Sequence, residues 1–294
     1  MLVLVSDPFS PDLPQRLARF GAVTDDKSRL AEANVVLIRS KTQCRKEYID
    51  SAPNLELIIR GGVGMDNIDI PYAETKGIRC LNTADASSIA VAELVFALMI
   101  ALPNHLTRAD ASMREGKWLK KELKRTELYG KTLGILGLGR IGLALAVRAR
   151  AFRMNVLGWH PDVHFTEWAE ICPTMQEVLR RADFVSLHMP LLDGTRGLIN
   201  RESLKLMKDG AYLINAARGQ IAVEEDVVQA LKSGKLGGYA TDVWTTDPPE
   251  GSPLLNAPNT ILTPHIGAST RENMGRIGEI VERLLEEHVA GRKA

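Results

Sequence analysis

Three segments in the second half of the chain carry side chains that could do chemistry together. They are INAARGQ at 214–220 with Arg218, ATDVWTTDPP at 240–249 with Asp242 and Asp247, and LTPHIGAST at 262–270 with His265. Each follows the carboxyl end of an apolar, strand-like run, and in an open α/β sheet that is the edge where ligands bind. A guanidinium can grip a carboxylate with a two-pronged fork and stabilise charge on a carbonyl oxygen. An imidazole can give that oxygen a proton, or remove one in the reverse direction. A carboxylate beside the imidazole holds it in one orientation and favours its protonated form. Together these groups fit reduction of a carbonyl by hydride. Taken singly, each has a structural alternative. Arg218 could sit in an ion pair, Asp247 could open a turn before Pro248 and Pro249, and His265 could be a capping or core histidine.

The elements that must position these groups begin with KTLGILGLGRIG at 131–142. The apolar run 133–136 reads as a buried parallel strand, and an apolar helical pattern follows from 141 to 152. Between them Gly137, Gly139 and Gly142 form G-x-G-x-x-G in the strand–turn–helix context that a dinucleotide fingerprint requires. Gly137 allows the tight turn, Gly139 lets a pyrophosphate approach the backbone, and Gly142 lets the helix pack on the sheet. Arg140 and Ile141 open that helix, whose unpaired N–H groups favour an anion.

Further apolar runs lie at 155–159, 184–187, 212–214, 239–243 and 261–262, which makes a doubly wound sheet of six strands. The N-terminal part has its own alternation: strands at 2–5, 35–38, 57–59 and 78–81, and helices at 13–20 and 70–76. One long helical pattern covers 88–114, and another covers 270–287. The fingerprint is therefore in mid-chain, and the economical arrangement inserts a nucleotide domain between two parts of a first domain. We expect residues 1–93 to form the first part of a substrate domain, 94–266 a dinucleotide-binding domain, and 267–294 a helix returning to the substrate domain.

Composition bounds the rest. The chain has 294 residues, 45% hydrophobic and 25% charged, with a net charge of +1. That is an ordinary globular composition, and it offers no electrostatic argument for nucleic acid or an anionic membrane surface. The apolar stretch 89–102 is interrupted by Glu93 and is too short for a bilayer span. Cys44, Cys80 and Cys172 are odd in number and widely spaced, so neither a disulfide framework nor a zinc site is expected, and a cytoplasmic setting is the simplest. No histidine spacing suggests a metal. His188, at a strand end before Met189 and Pro190, could line a cofactor pocket.

With these motifs in hand, the chain resembles the D-isomer-specific 2-hydroxyacid dehydrogenase family over nearly its whole length. RGGVGMDNID at 60–69 resembles the family's substrate-side loop, and NTADASSIAVAEL at 82–94 the segment entering its interdomain helix. GLGRIG, NAARG, the DVW segment and TPHIGAST follow in the family's order. The resemblance implies a Rossmann-type nucleotide domain inserted into a flavodoxin-like substrate domain, both doubly wound, with the active site in the cleft between them. It implies that Arg218 binds substrate, His265 is the acid/base and Asp247 is its carboxylate partner. Arg60, Gly61 and Gly62 would present a side chain and backbone N–H groups to the substrate carboxylate or a distal phosphate. The loop 39–42 would face the same cleft, Thr83 and Asp242 would lie near the nicotinamide, and the protein would be a homodimer.

Several positions depart from the family pattern. Asp247 stands where the family usually has Glu, one methylene longer, and Ser87 where it often has Asn. Most consequential is His160, which occupies the strand end where an acidic residue binds the adenosine ribose. Its loss lowers a barrier to NADP. Yet 156–179 contains no Arg or Lys to hold an extra phosphate, and Asp162 is close enough to replace the acid, so NAD is the expected cofactor, with NADP not excluded. The longer segments resemble phosphoglycerate dehydrogenases in a short form. This points to oxidation of 3-phosphoglycerate in serine biosynthesis, with glyoxylate or hydroxypyruvate reduction as the alternative. A nucleotide-sensing scaffold, like the family's corepressors, is a third reading.

Overall fold

The protein is described here from a computed structural model covering residues 1–291. It divides into two compact units, Met1–Ser88 with Ala268–Ala294, and Ile89–Gly267. The first break falls at 88/89, five residues before the expected 93/94, because the chain leaves the first unit where a helix begins. In the first unit β1 (Leu2–Val5), β2 (Ala22–Thr24), β3 (Val35–Ile38), β4 (Leu57–Arg60) and β5 (Arg79–Asn82) form one parallel sheet in the order β2-β1-β3-β4-β5. This is the flavodoxin-like order. Successive side chains point to opposite faces. Leu4, Val36, Ile38 and Ile58 therefore pack on one side, with Ile49 of α2 (Lys46–Asp50) and Ala73 of α3 (Ile70–Thr75). Val3, Val35, Leu37, Leu57 and Ile59 pack on the other, with Leu13 and Leu17 of α1 (Leu13–Leu17).

The second unit opens with α4 (Ser88–Ala101) and α5 (Leu106–Arg114). The single long helix expected over 88–114 is broken by a 64° bend. Pro103 lacks an N–H for the helical ladder, and His105 adopts a left-handed φ of 53° at the start of α5. Then follow β6 (Thr132–Leu136), α6 (Arg140–Ala151), β7 (Asn155–Trp159), β8 (Glu170–Ile171), α7 (Met175–Arg181), β9 (Phe184–Leu187), α8 (Arg201–Leu206), β10 (Ala211–Asn215), α9 (Glu224–Lys232), β11 (Leu236–Thr241) and β12 (Thr260–Leu262). The parallel sheet runs β12-β11-β10-β9-β6-β7-β8. Seven strands replace the expected six because the two-residue β8 pairs with β7 at its edge. The order is that of a Rossmann sheet with one strand added, and it reverses direction between β6 and β9, so a ligand crevice belongs there.

The chain closes with α10 (Arg271–Gly291), capped by Thr270 Oγ1 accepting from Asn273 N. Ile277, Val281 and Leu285, at i, i+4 and i+8, are fully buried against the first unit's sheet. Each contributes about 1.5–3 kcal/mol, which binds this helix to the N-terminal strands. Among the described residues no single helix is long and apolar enough to cross a membrane.

Candidate active site

The fingerprint lies at the reversal point of the seven-stranded sheet. Gly137 leaves β6 at φ 102°, and a Cβ there would meet the His188 carbonyl oxygen at 2.6 Å. A Cβ on Gly142 would meet the Gly137 carbonyl oxygen at 2.2 Å. Both positions therefore exclude a side chain for packing reasons. Gly139 is different, since a Cβ there would meet nothing within 4 Å. It caps α6 without a side-chain hydrogen bond, and the space beside it leaves room for a ligand to approach the helix start. That cradle fits a pyrophosphate on steric and dipolar grounds.

Beside it, β7 ends at Trp159, whose carbonyl accepts from Gly137 N at 2.9 Å. His160 follows, half-buried, and its Nδ1 accepts from Asp162 N at 3.1 Å. On the other side, His188 follows β9, and its N–H donates to the Leu136 carbonyl at 2.8 Å. Its Nε2 shares a hydrogen bond with Ser186 Oγ at 2.8 Å, while Nδ1 is buried with no partner. A rim of the residue reaches solvent, but burial of the ring pushes its pKa down to about 4, which keeps it neutral at ordinary pH.

The chemical groups sit past three neighbouring strands. Arg218 follows β10, and Asn215, fully buried at the strand's end, ties its loop. Asn215 Oδ1 accepts from Ala217 N at 3.1 Å, and its Nδ2 donates to the Arg218 carbonyl at 3.0 Å. Arg218 Nη1 donates to the Ala217 carbonyl at 2.6 Å. Asp247 follows β11, and His265 follows β12. His265 Nδ1 and Asp247 Oδ2 are 2.6 Å apart. The shorter carboxylate thus reaches the ring without the extra methylene of Glu. With Nδ1 engaged, Nε2 is left as the proton-carrying atom for a ligand.

His265 adopts φ 56°, a left-handed conformation uncommon for a residue with a side chain. Asp242 explains how this is held. Its buried carboxylate accepts from Ile266 N at 2.8 Å, Gly267 N at 2.7 Å and Thr263 Oγ1 at 2.7 Å. Asp242 was expected among the cofactor contacts. Both its oxygens also clamp the turn that presents His265. Asn215 and Thr263 have the same positioning character and escaped the sequence reading, because nothing local marks a polar residue whose partners lie in a distant turn.

The first unit holds the remaining expected residues. Arg39 and Arg60 follow or end the adjacent strands β3 and β4, in register Ile38 to Arg60. Asp7, buried past β1, accepts from Arg39 N at 2.6 Å, Thr42 N at 3.1 Å and Thr42 Oγ1 at 2.7 Å. Asn67 Nδ2 donates to the carbonyls of Arg39 and Thr42, each at 2.7 Å. The backbone donors expected at Gly61 and Gly62 are not on offer. Gly61 N donates to the Ile38 carbonyl at 2.8 Å and Gly62 N to that of Arg60 at 2.9 Å, because the loop turns tightly back on the strand. Arg60 packs its guanidinium over Gly62, where a Cβ would meet Nη1 at 2.0 Å. Thr83 is buried with no partner for its Oγ1. Ser87 Oγ accepts from Asn273 Nδ2 at 3.3 Å, so an amide side chain stands next to Ser87.

One cluster of potential metal ligands exists among the described residues, Glu170, Cys172 and Glu177. Arg181 already bridges its two carboxylates at 2.7 and 2.9 Å. Cys44, Cys80 and Cys172 are free thiols.

Comparison with known proteins agrees with this geometry. Residues 96–267 match the family described as D-isomer specific 2-hydroxyacid dehydrogenase, NAD binding domain. The chain is 41% identical to D-3-phosphoglycerate dehydrogenase of Methanocaldococcus jannaschii, over 99% of this chain and 58% of that protein. It is 43% identical to hydroxypyruvate reductase of Thermotoga maritima, over 88% of this chain and 86% of that one. The crystal structure of D-lactate dehydrogenase from Aquifex aeolicus, complexed with NAD and lactic acid, superposes with a TM-score of 0.87 at 29% identity, covering 99% of this chain and 96% of that one. The chain spans less than three fifths of the length of the phosphoglycerate dehydrogenases it matches. By its motifs, its two sheets and these matches, the chain belongs to the D-isomer specific 2-hydroxyacid dehydrogenase family.

Proposed function

We propose that this chain is an NAD-dependent oxidoreductase that interconverts a D-2-hydroxy acid and its 2-keto acid, with 3-phosphoglycerate as the hydroxy acid. The observation that carries the reading is the 2.6 Å contact of His265 with Asp247, on the same sheet edge as Arg218 and the fingerprint. NAD supplies the hydride acceptor when bound. Arg218 holds the substrate carboxylate in its fork and faces the oxygen that becomes the carbonyl. His265 Nε2 takes the hydroxyl proton during oxidation and returns it during reduction. Asp247 keeps Nδ1–H pointed away from the substrate and stabilises the imidazolium that forms. His188, neutral and with one nitrogen lacking a partner, lines the cofactor crevice. A phosphorylated substrate is supported by Arg60 and Arg39, two cations at adjacent strand ends. Burial lowers the pKa of Arg39, while the charge of Asp7 opposes that shift; an arginine stays protonated throughout the working range.

The second reading, reduction of hydroxypyruvate or glyoxylate, is favoured by the Thermotoga maritima relative, because the match covers most of that protein. Oxidation of D-3-phosphoglycerate with NAD, at mildly alkaline pH with product removed, tests the first reading. No oxidation, with NADH still reducing hydroxypyruvate, would keep the chemistry and reassign the substrate.

We also propose a homodimer joined through the second unit. Leu106, Met113, Trp118, Tyr129 and Phe152 are large, apolar and exposed on that unit, and such a surface asks for a cover. Light scattering behind a sizing column would give twice the chain mass. Three free thiols support a reducing, cytoplasmic setting, and the near-zero net charge supports a small-molecule partner in place of nucleic acid or membrane.

A further inference from the structure

We infer that the adenosine end of this nucleotide site admits the 2′-phosphate of NADPH as well as the free ribose of NADH, because His160 stands where a carboxylate would exclude it. The inference rests on the NAD-binding reading of this sheet edge. Three observations carry it.

The first is position. The Gly137 N–H to Trp159 carbonyl bond of 2.9 Å sets the end of β7 directly beside the fingerprint loop. His160 is thus the first side chain past the strand. The end of β7, which leads into His160, therefore lies at the same sheet edge as Gly139.

The second is the ring's orientation. Asp162 N–H donates to His160 Nδ1 at 3.1 Å. Nδ1 is therefore the acceptor, and the proton of the neutral ring sits on Nε2. The ring thus carries a donor, Nε2–H, where a carboxylate would carry only acceptors. A carboxylate takes both ribose hydroxyl protons and repels a phosphate. A single negative charge 4 Å from another, at an effective dielectric near 20, disfavours binding on the order of a thousandfold. The Nε2–H of His160 can donate to a hydroxyl oxygen or to a phosphate oxygen, and it carries no negative charge.

The third is the local charge balance. No Arg or Lys occurs in 156–179, so nothing on this segment rewards the phosphate strongly. Asp162, exposed two residues on, opposes it only weakly, because solvent screens an exposed charge. The site therefore does not prefer NADPH; it fails to reject it.

The test is direct binding without substrate: fluorescence titration of NADH and NADPH into the wild-type protein, H160D and D162N, with thermal melts to confirm folding. We expect wild-type dissociation constants within about tenfold of each other. H160D should keep NADH and weaken NADPH by a hundredfold or more. D162N removes a negative charge from the same edge and should shift the ratio of the two dissociation constants severalfold toward NADPH. Wild-type protein that binds NADH but binds NADPH a hundredfold more weakly would overturn the inference and leave the nucleotide reading standing. Failure of wild-type protein to bind NADH would overturn both.

Discussion

Each unit uses a buried aspartate past one strand to hold the loop past the neighbouring strand. In the first unit Asp7, after β1, takes two backbone N–H groups and the Thr42 hydroxyl from the loop after β3. In the second, Asp242, after β11, takes two backbone N–H groups and the Thr263 hydroxyl from the turn after β12. The devices are nearly the same, but what they hold differs. The first secures a loop carrying Arg39, whose proposed role is charge recognition, which tolerates small displacements. The second secures His265 at φ 56°, a conformation costing about 1–2 kcal/mol. Hydrogen bonds to a charged group contribute about 1.5–3 kcal/mol each, so three outweigh that strain. The comparison teaches that equal mounts can carry different loads: a loop proposed to recognise charge in one unit, and a strained turn proposed to present a proton-transfer group in the other.

The largest effect should come from the group that is mounted. His265→Asn keeps a residue that tolerates the left-handed backbone, so the melting temperature should hold, while turnover falls by about 10²–10⁴. Loss of fold along with activity would show that the turn depends on the imidazole itself. Next comes the mount. Asp242→Ala leaves three donors without their acceptor, and denaturant unfolding should show a loss of about 3 kcal/mol or more. Turnover should fall roughly a hundredfold as His265 drifts. If stability falls but turnover does not, Asp242 is not a positioning residue.

His188 offers a way to separate the second unit by pH. Its folded pKa of about 4 lies below the ordinary 6.5. The unfolded state therefore binds more protons between those values. Stability from this residue is complete above pH 6.5 and is lost as pH falls toward 4, by about 3 kcal/mol in all. His188→Gln should flatten that part of the pH–stability curve, and an unchanged slope would contradict the burial argument. The smallest effect belongs to the first unit. Asp7→Asn should cost about 1–2 kcal/mol and raise KM for a phosphorylated acid with kcat nearly unchanged. A fall in kcat as large as that of Asp242→Ala would erase the contrast between the two mounts.

What could be read in advance follows from physical range. Fully buried parallel strands such as β3 and β6 announce themselves as apolar runs. β2, an edge strand with one exposed and two half-buried residues, and β8, two residues long, carry no such pattern. Pro103 was a visible signal for the bend between α4 and α5, overridden by the continuous helical periodicity around it. Arg218, Asp247 and His265 were legible because their chemistry is rare and their places after strands are regular. The anchors were not. Asp7 and Thr42 are 35 positions apart, and Asp242 and Gly267 are 25 apart. Such pairings exist only once the strands are stacked. For the same reason the clamp made by Asp242 is invisible in the sequence, and the donors at Gly61 and Gly62 look available there although the turn takes them.

The central claim is that Arg218, Asp247 and His265 carry hydride exchange on a 2-keto acid. The most direct test follows NADH oxidation with 3-phosphohydroxypyruvate, hydroxypyruvate, glyoxylate and pyruvate in wild-type protein and in His265→Asn. The account predicts turnover of at least one acid by the wild type, fastest with the phosphorylated one, and collapse in the variant with NADH still bound. Tight NADH binding with no turnover of any acid, or equal turnover by the variant, would contradict it.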